Sequence, residues 1–342
     1  MRLVGAAWRN TGPFSILDSR DTMAPFVRKE LATFLLLVVL CVIVTALNPR
    51  FVSPANLQNT ARLIGAFGIF SLGLGFVIIT GGIDLSVGSA FALLGVLLSI
   101  MLTTWRLPWP VAVVLVLALG ALLGALNGLL ITRLGLQPFI VTLCGLLLYR
   151  GLARFIANDQ TKGFGDATGF QTLQRMATGS VLGVPTPFVA LAVASVVMWV
   201  VLHKSVYGRH LFATGRNPVA ARYSGIRTDR TILTAYVILG GLTGLSAIFF
   251  AFYTNSVSPS SHGNFFELYG IAAAVLGGCS LRGGEGSVVG VLLGTTLLQV
   301  LQNLVNLLGI PSSLNFAVMG GVILIGVVGD QVLRRRAVRT AI

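Results

Sequence analysis

Along this chain apolar residues gather into long unbroken runs, and charged residues sit almost wholly between them. Runs close to the roughly 17–25 residues needed to cross about 30 Å of hydrocarbon fall at 31–47, 61–80, 85–104, 110–131, 140–156, 186–202, 231–253, 266–281, 287–309 and 314–330. They predict about ten transmembrane spans, with 140–156 and 266–281 short or interrupted, which sets a range of eight to ten. The runs lack period-two alternation, and backbone polar groups in lipid must be satisfied within their own segment. Helices rather than barrel strands are therefore expected, in an all-α integral membrane protein.

Composition agrees with a bilayer as solvent. Hydrophobic residues make up 55% of the 342 positions and charged ones 10%, against roughly 45–50% and 25% in soluble domains. The first 30 residues mix both charge signs and hold no apolar core of signal-peptide length, so no cleaved leader is expected. The first apolar run then serves as an uncleaved membrane signal, with the basic amino terminus held in the cytoplasm.

Threading ten helices from that start places 17 of the 24 cations on the cytoplasmic side. The remainder are Arg50, Arg62, Arg106, Arg150, Arg154, Lys162 and Arg175. This bias predicts an even span count with both termini cytoplasmic. It also accounts for the net charge of +14 through topology and attraction to the anionic lipid bilayer. Because the charges are divided among short loops, no nucleic acid partner is expected. Cys41, Cys144 and Cys279 lie within predicted spans and read as small packing residues, without metal-site spacing or a disulfide framework.

The organisation expected is a cytoplasmic amino-terminal segment at 1–30, one membrane domain at 31–330, and a basic cytoplasmic tail at 331–342. Within the domain, the turn-rich stretch 157–185 should form an irregular or partly helical cap on the outer face. The inner loop 203–230 carries helix punctuation: Asn217 can cap, Pro218 suits the first helical position, and Gly225 suits the left-handed residue after the end. A helix of about seven residues at 218–224 follows. Alone it is too short to persist in water, so it either rests on lipid headgroups, helped by Arg222, or docks on a cytoplasmic partner. A weak echo links VIITGGIDL at 77–85 with AAVLGGCSL at 273–281. Each Gly-Gly pair follows an inward run and precedes an outward one, which suggests a parallel internal repeat rather than an inverted one.

Two constellations carry candidate chemistry. In GGIDLSVGS at 81–89, Asp84 is an ionisable group close to hydrocarbon, by default a functional candidate in a gate or an ion pair; the plainer reading is that it caps a helix. On the run 287–309, Gln299, Gln302, Asn303 and Asn306 recur at helical spacing and share one face. Facing lipid would be costly, so these amides either join helices or line a pathway for a hydroxylated solute.

Absences narrow the field further. The chain has no phosphate-cradling G-x-x-x-x-G-K-[ST] sequence. Asp84 and Glu267 are too few for a proton relay, and no nucleophile, base and orienter can be assembled from the sequence. An enzyme, a cofactor and a metal site are all disfavoured.

The segments GGIDLSVGS at 81–89, QPFIVTL at 137–143, GRHLFATGRNPVAARYSGI at 208–226, IAAAVLGGCSLRGGEGSVVG at 271–290 and NLVNLLGI at 303–310 together resemble the ribose-type permease family, the membrane subunits of bacterial ATP-binding-cassette (ABC) sugar importers. The likeness covers roughly 31–330. It departs from the family pattern at Tyr269, where many members carry an acid, and at Cys279, often a small polar residue.

The resemblance implies a sugar transport permease in the bacterial inner membrane that pairs with a second permease copy or paralogue, two cytoplasmic ABC ATPase subunits and a periplasmic sugar-binding protein. It makes Arg216, Asn217, Pro218, Ala221 and Gly225 the expected ATPase-coupling element. A secondary transporter or channel for a small polar solute, working without an ATPase, is the alternative.

Overall fold

The structure is a computed structural model that describes residues 19–165 and 168–311, with residues 314, 317, 320, 321 and 324 beyond them. Most of the predicted span 314–330, the basic tail 331–342 and residues 1–18 lie outside the described residues.

The helices follow the apolar runs. They are α1 (Ser19–Leu47), α2 (Pro54–Ile79), α3 (Val87–Thr103), α4 (Trp109–Arg133), α5 (Pro138–Ala157), α6 (Gln171–Thr178), α7 (Thr186–Trp199), α8 (Val206–Arg216), α9 (Pro218–Tyr223), α10 (Thr228–Thr254), α11 (Phe266–Leu276) and α12 (Val288–Leu307). Among the described residues seven helices are long and apolar enough to cross a membrane, while α3 and α11 are shorter apolar helices. The run 140–156, read as short, is a full helix of 20 residues. The run 266–281 stops at Leu276 after 11 residues, about 16 Å at 1.5 Å per residue, because Gly277 and Gly278 end it.

Local chemistry sets the ends. Pro54 opens α2 behind Ser53, whose hydroxyl accepts from Asn56 N at 3.4 Å. Ser287 caps α12 by accepting from Gly290 N at 2.9 Å. Ser287 in turn donates to the Glu30 carboxylate of α1, and Thr33 Oγ1 donates to Leu276 O at 3.0 Å, so α1 is fastened across the gap between α11 and α12.

In the bundle α10 packs along α4 and α2, and α2 and α3 are the most enclosed helices. Glycine allows a close α4–α10 crossing: a Cβ on Gly124 would lie 2.1 Å from Tyr236 O, and one on Gly240 2.1 Å from Gly120 O. In lipid this close packing substitutes for the hydrophobic drive that water would supply. Apolar side chains on α1, α4, α5 and α7, such as Val42, Leu122, Leu147 and Val196, point outward, as an element facing lipid or a partner requires.

Phe67, Phe70, Phe91, Phe250 and Phe266 bind α2, α3, α10 and α11 into one aromatic cluster, with the Phe67 and Phe266 rings 4.5 Å apart and Phe70 stacked on Phe266 at 6.0 Å. Each such pair adds about 0.5–1.5 kcal/mol to the area it buries.

The expected cap at 157–185 is built from α6, a hairpin of Ser180–Val181 on Val184–Pro185, and a two-residue ladder that pairs Lys162–Gly163 with Ser256–Val257. At its start Arg154 meets Asp159 at 2.6 Å and holds that carboxyl below the usual range, although both side chains are exposed and the pair adds little stability. The opposite end differs from expectation. The loop 203–230 holds two helices rather than one: α7 passes through a π turn at Val200–Lys204, and Ser205 caps α8 by accepting from Gly208 N at 3.2 Å.

Candidate functional site

The short helix α9 is six residues long and stands on sequence-encoded caps. Asn217 Oδ1 accepts from Val219 N at 3.1 Å and Ala220 N at 3.0 Å, Pro218 occupies the first position, and Gly225 follows at φ +82°. Arg222 reaches on to the start of α10, donating to Thr228 Oγ1 at 3.1 Å and Asp229 Oδ1 at 2.8 Å. Ala221 faces inward and is buried, whereas Val219 is 63% and Tyr223 90% exposed. A bare aromatic side chain thus stands one turn from an exposed valine on a helix clamped at both ends. Arg216 closes α8 next to this peg.

Behind the peg, the end of α8 presses into the bundle. A Cβ on Gly215 would stand 1.8 Å from Ile79 O and 2.5 Å from Gly284 N, and Gly284 N itself donates to Ile79 O at 2.8 Å. The last residue of α2, the chain after α11 and the foot of the α8–α9 loop therefore meet at one point. Both Gly-Gly echoes of the sequence end next to this junction.

After the first Gly-Gly pair the chain is held by side chains. Asp84 is buried, with Oδ1 accepting from Ser86 N at 2.7 Å and Ser86 Oγ at 2.6 Å, and Oδ2 accepting from Asn127 Nδ2 at 3.4 Å. Asn127 Nδ2 also donates to Ser86 Oγ at 2.9 Å, and Tyr149 OH donates to Asn127 Oδ1 at 2.9 Å. Tyr236 OH donates to Ile83 O at 3.0 Å. Irregular backbone inside a membrane domain survives only when surrounding protein satisfies it in this way. The bonding partners of Asp84 are neutral groups rather than the ion-pair partner weighed from sequence. A cavity of about 10 Å³ adjoins Asp84, Asn127, Gly124 and Thr243, room for one water.

A second polar knot lies beyond α3. The segment leading into α11 turns into the bundle, where a Cβ on Gly88 would stand 2.2 Å from Gly263 O and 2.3 Å from Glu267 Oε2. Arg150 of α5 donates to His262 O at 2.7 Å and Pro259 O at 3.1 Å.

The amide stripe on α12 is divided. Asn303 and Asn56 of α2 exchange hydrogen bonds of 2.8 and 3.0 Å. Gln299 is buried with Oε1 unpartnered among the described residues, Gln302 is half-buried, and Asn306 is exposed. The α2–α12 contact thus uses one amide pair, Asn56 with Asn303, as a join.

With this geometry in place, comparison with known proteins decides the family. The model described as branched-chain amino acid transport system / permease component matches residues 56–327. The chain belongs to this permease family. A ribose import permease protein of Bacillus subtilis is 42% identical to it over 306 residues, 89% of this chain and 94% of the relative. One of Escherichia coli is 36% identical over 302 residues, 88% and 94% of the two chains. An autoinducer 2 import system permease protein of an Enterobacter species is 34% identical over 318 residues, 91% and 95%. No solved structure matches the chain.

Relatives of this permease are thus named as import permeases, several of them for ribose, and the resemblance read from its motifs is to the right family. Sequence reasoning nonetheless missed Asn127, Tyr149 and Tyr236, which complete the Asp84 network, and the use of Arg150 as a clamp. The signal was present: each is a polar or ionisable side chain inside an otherwise apolar run, the pattern that marks a buried partner in a membrane protein.

Proposed function

We propose that this permease is the transmembrane subunit of an ABC importer that passes a monosaccharide or similar hydroxylated solute into the cytoplasm, with the energy supplied by ATP hydrolysis in separate cytoplasmic ATPase subunits. A second permease copy or paralogue and a periplasmic sugar-binding protein complete the assembly. The reading places the chain in the bacterial inner membrane with ten spans, both termini cytoplasmic and the two Gly-Gly segments related as a parallel repeat.

One observation carries it: α9 is a clamped, six-residue helix with a bare tyrosine, and its supporting loop abuts Ile79 and Gly284 through Gly215. A helix of that length has no independent stability, so its rigid presentation serves a contact. A partner that grips α9 differently in two states moves the two Gly-Gly segments directly, and it shifts the transport equilibrium only by that difference in contact. In this scheme Arg216, Asn217, Pro218, Ala221 and Gly225 shape the coupling element, and Val219 and Tyr223 touch the ATPase. Asp84 fixes the irregular segment between α2 and α3. Gln299, Gln302 and Asn306 line or support the pathway, while Asn303 joins α12 to α2.

The test is to purify the chain with its cognate ATPase and binding protein, reconstitute it, and ask which sugar raises ATP hydrolysis. Tyr223→Ala and Val219→Asp sit on exposed positions and leave the fold intact. They are expected to uncouple hydrolysis from uptake, whereas Ala221→Glu disturbs α9 itself. Solute flux through the purified chain alone, unaffected by ATPase or by Tyr223→Ala, would establish the secondary-transporter or channel reading in its place.

A further inference from the structure

A cavity of about 100 Å³ lies at the α6 end of the bundle, walled by Arg62 and Leu63 of α2, Thr178 of α6, Pro187 of α7, and Phe249 and Tyr253 of α10. It is separate from the Asp84 network and from α9. That is well above the roughly 10–15 Å³ needed to admit a single water, so the cavity has room for a small polar group. Arg62 lies eight residues into α2, about 12 Å along it, so the cavity is near the helix ends rather than at mid-depth.

Its polar groups are unusually one-sided. Arg62 can only donate, and its Nε is shut from solvent with no hydrogen-bond partner among the described residues. Thr178 Oγ1 has already given its hydrogen to Gln174 O at 2.8 Å, and Tyr253 OH has given its own to Asn59 Oδ1 at 2.9 Å. Both oxygens keep only acceptor capacity toward anything in the cavity. The remaining wall, Leu63, Pro187 and the Phe249 ring, is apolar.

We propose that this cavity is a subsite for a neutral polyhydroxylated solute, occupied before the solute enters the transport pathway. A hydroxyl both accepts and donates, so adjacent hydroxyls can accept from Arg62 while donating to Thr178 and Tyr253, and the C–H face of a sugar ring lies against Phe249. A bare oxyanion satisfies Arg62 but meets two oxygens it cannot bond. An α-amino acid can set its carboxylate on Arg62, but its ammonium meets only the neutral Thr178 and Tyr253 oxygens and no carboxylate among the described wall residues, a weaker match for a full charge. The assignment rests on the transport reading above and adds to it a place and a donor–acceptor pattern.

The test uses the full chain in lipid nanodiscs and saturation-transfer NMR, with D-ribose, D-xylose, D-galactose and L-rhamnose as probes and inorganic phosphate and L-leucine as competitors. At least one sugar is expected to bind, at least about tenfold more weakly to Arg62→Met and several-fold more weakly to Thr178→Val, with Arg62→Lys intermediate because the planar fork is lost. Arg106→Met, at the same end of the bundle, should change nothing. Should Arg62→Met fail to fold, Thr178→Val and Tyr253→Phe carry the test.

Binding of no sugar, sugar binding unchanged in Arg62→Met, or preference for phosphate or leucine overturns the subsite. Uptake by the complete importer separates the two readings. Wild-type KM for ATP-driven uptake in Arg62→Met sinks the subsite alone, whereas Arg62-dependent binding in a chain that never shows ATP-driven uptake sinks the transport reading alone.

Discussion

The two Gly-Gly segments look alike in sequence and are secured by different means. After Gly81 and Gly82 the chain is pinned by side chains: Asp84, Ser86, Asn127 and Tyr149 form one buried chain of hydrogen bonds, and Tyr236 holds Ile83 O. After Gly277 and Gly278 it is shaped largely by backbone, with Gly283 N donating to Ser280 O at 2.8 Å, Ser280 N to Glu285 O at 3.1 Å, and Gly284 N to Ile79 O at 2.8 Å. Gly283, Gly284 and Gly286 all adopt positive φ there. The first segment is therefore the fixed one, since a buried polar network has few ways to rearrange. The second is the one in direct contact with the foot of the α8–α9 loop, through Gly283 and Gly284 against Gly215 and Arg216.

The strongest way to break this contrast is at the point the two segments share. Gly215→Val drives a branched side chain into Ile79 O and Gly284 N, where overpacking against backbone costs about 3 kcal/mol or more. Size-exclusion profiles should show little folded protein; a well-folded valine variant would mean that the junction is loose. Next, Asp84→Ala strands the donors of Ser86 and Asn127 and should cost about 2–3 kcal/mol in denaturant unfolding, with Asp84→Asn costing less. Equal costs for the two would show that charge, not bonding, is what the site requires.

The second segment is probed by Gly283→Ala, which adds left-handed strain and a Cβ 2.7 Å from Gly215 O. It should cost about 1–3 kcal/mol and slow coupled transport more than it lowers stability. Gly225→Ala has the same φ of +82° with open space around it and isolates the strain alone. The smallest effect is expected at the α2–α12 join. A double-mutant cycle on Asn56→Leu and Asn303→Leu should return about 0.6 kcal/mol of coupling, and a value near zero would return Asn303 to the pathway.

Much of the architecture was legible because lipid imposes a simple length rule on apolar runs: α1, α2, α4, α7 and α10 appear where hydropathy puts them. The peg was legible as well, since Asn217, Pro218 and Gly225 act through local backbone geometry that neighbours in sequence decide. Less visible was anything set by distant contacts. The run 266–281 gave no sign that its first half would be preceded by a segment turned into the bundle, because Gly88 and Gly263 make that approach between parts of the chain far apart in sequence. α8 was hidden because its mixed polar face has no membrane-length run to reveal it. The Asp84 partners on α4 and α5 are single polar residues whose pairing depends on how three helices cross.

Tyr236 gives this arrangement a mechanical reach beyond its own hydrogen bond. It lies on α10 two turns beyond Thr228, whose hydroxyl takes the Arg222 fork from α9, and its phenol grips Ile83 O. One helix thus connects the exposed tip to the first Gly-Gly segment, while the Gly215 contact reaches the second. A load applied at the tip would therefore reach both Gly-Gly segments, one through the Tyr236 bond to Ile83 and the other through the Gly215 contact with Ile79 and Gly284.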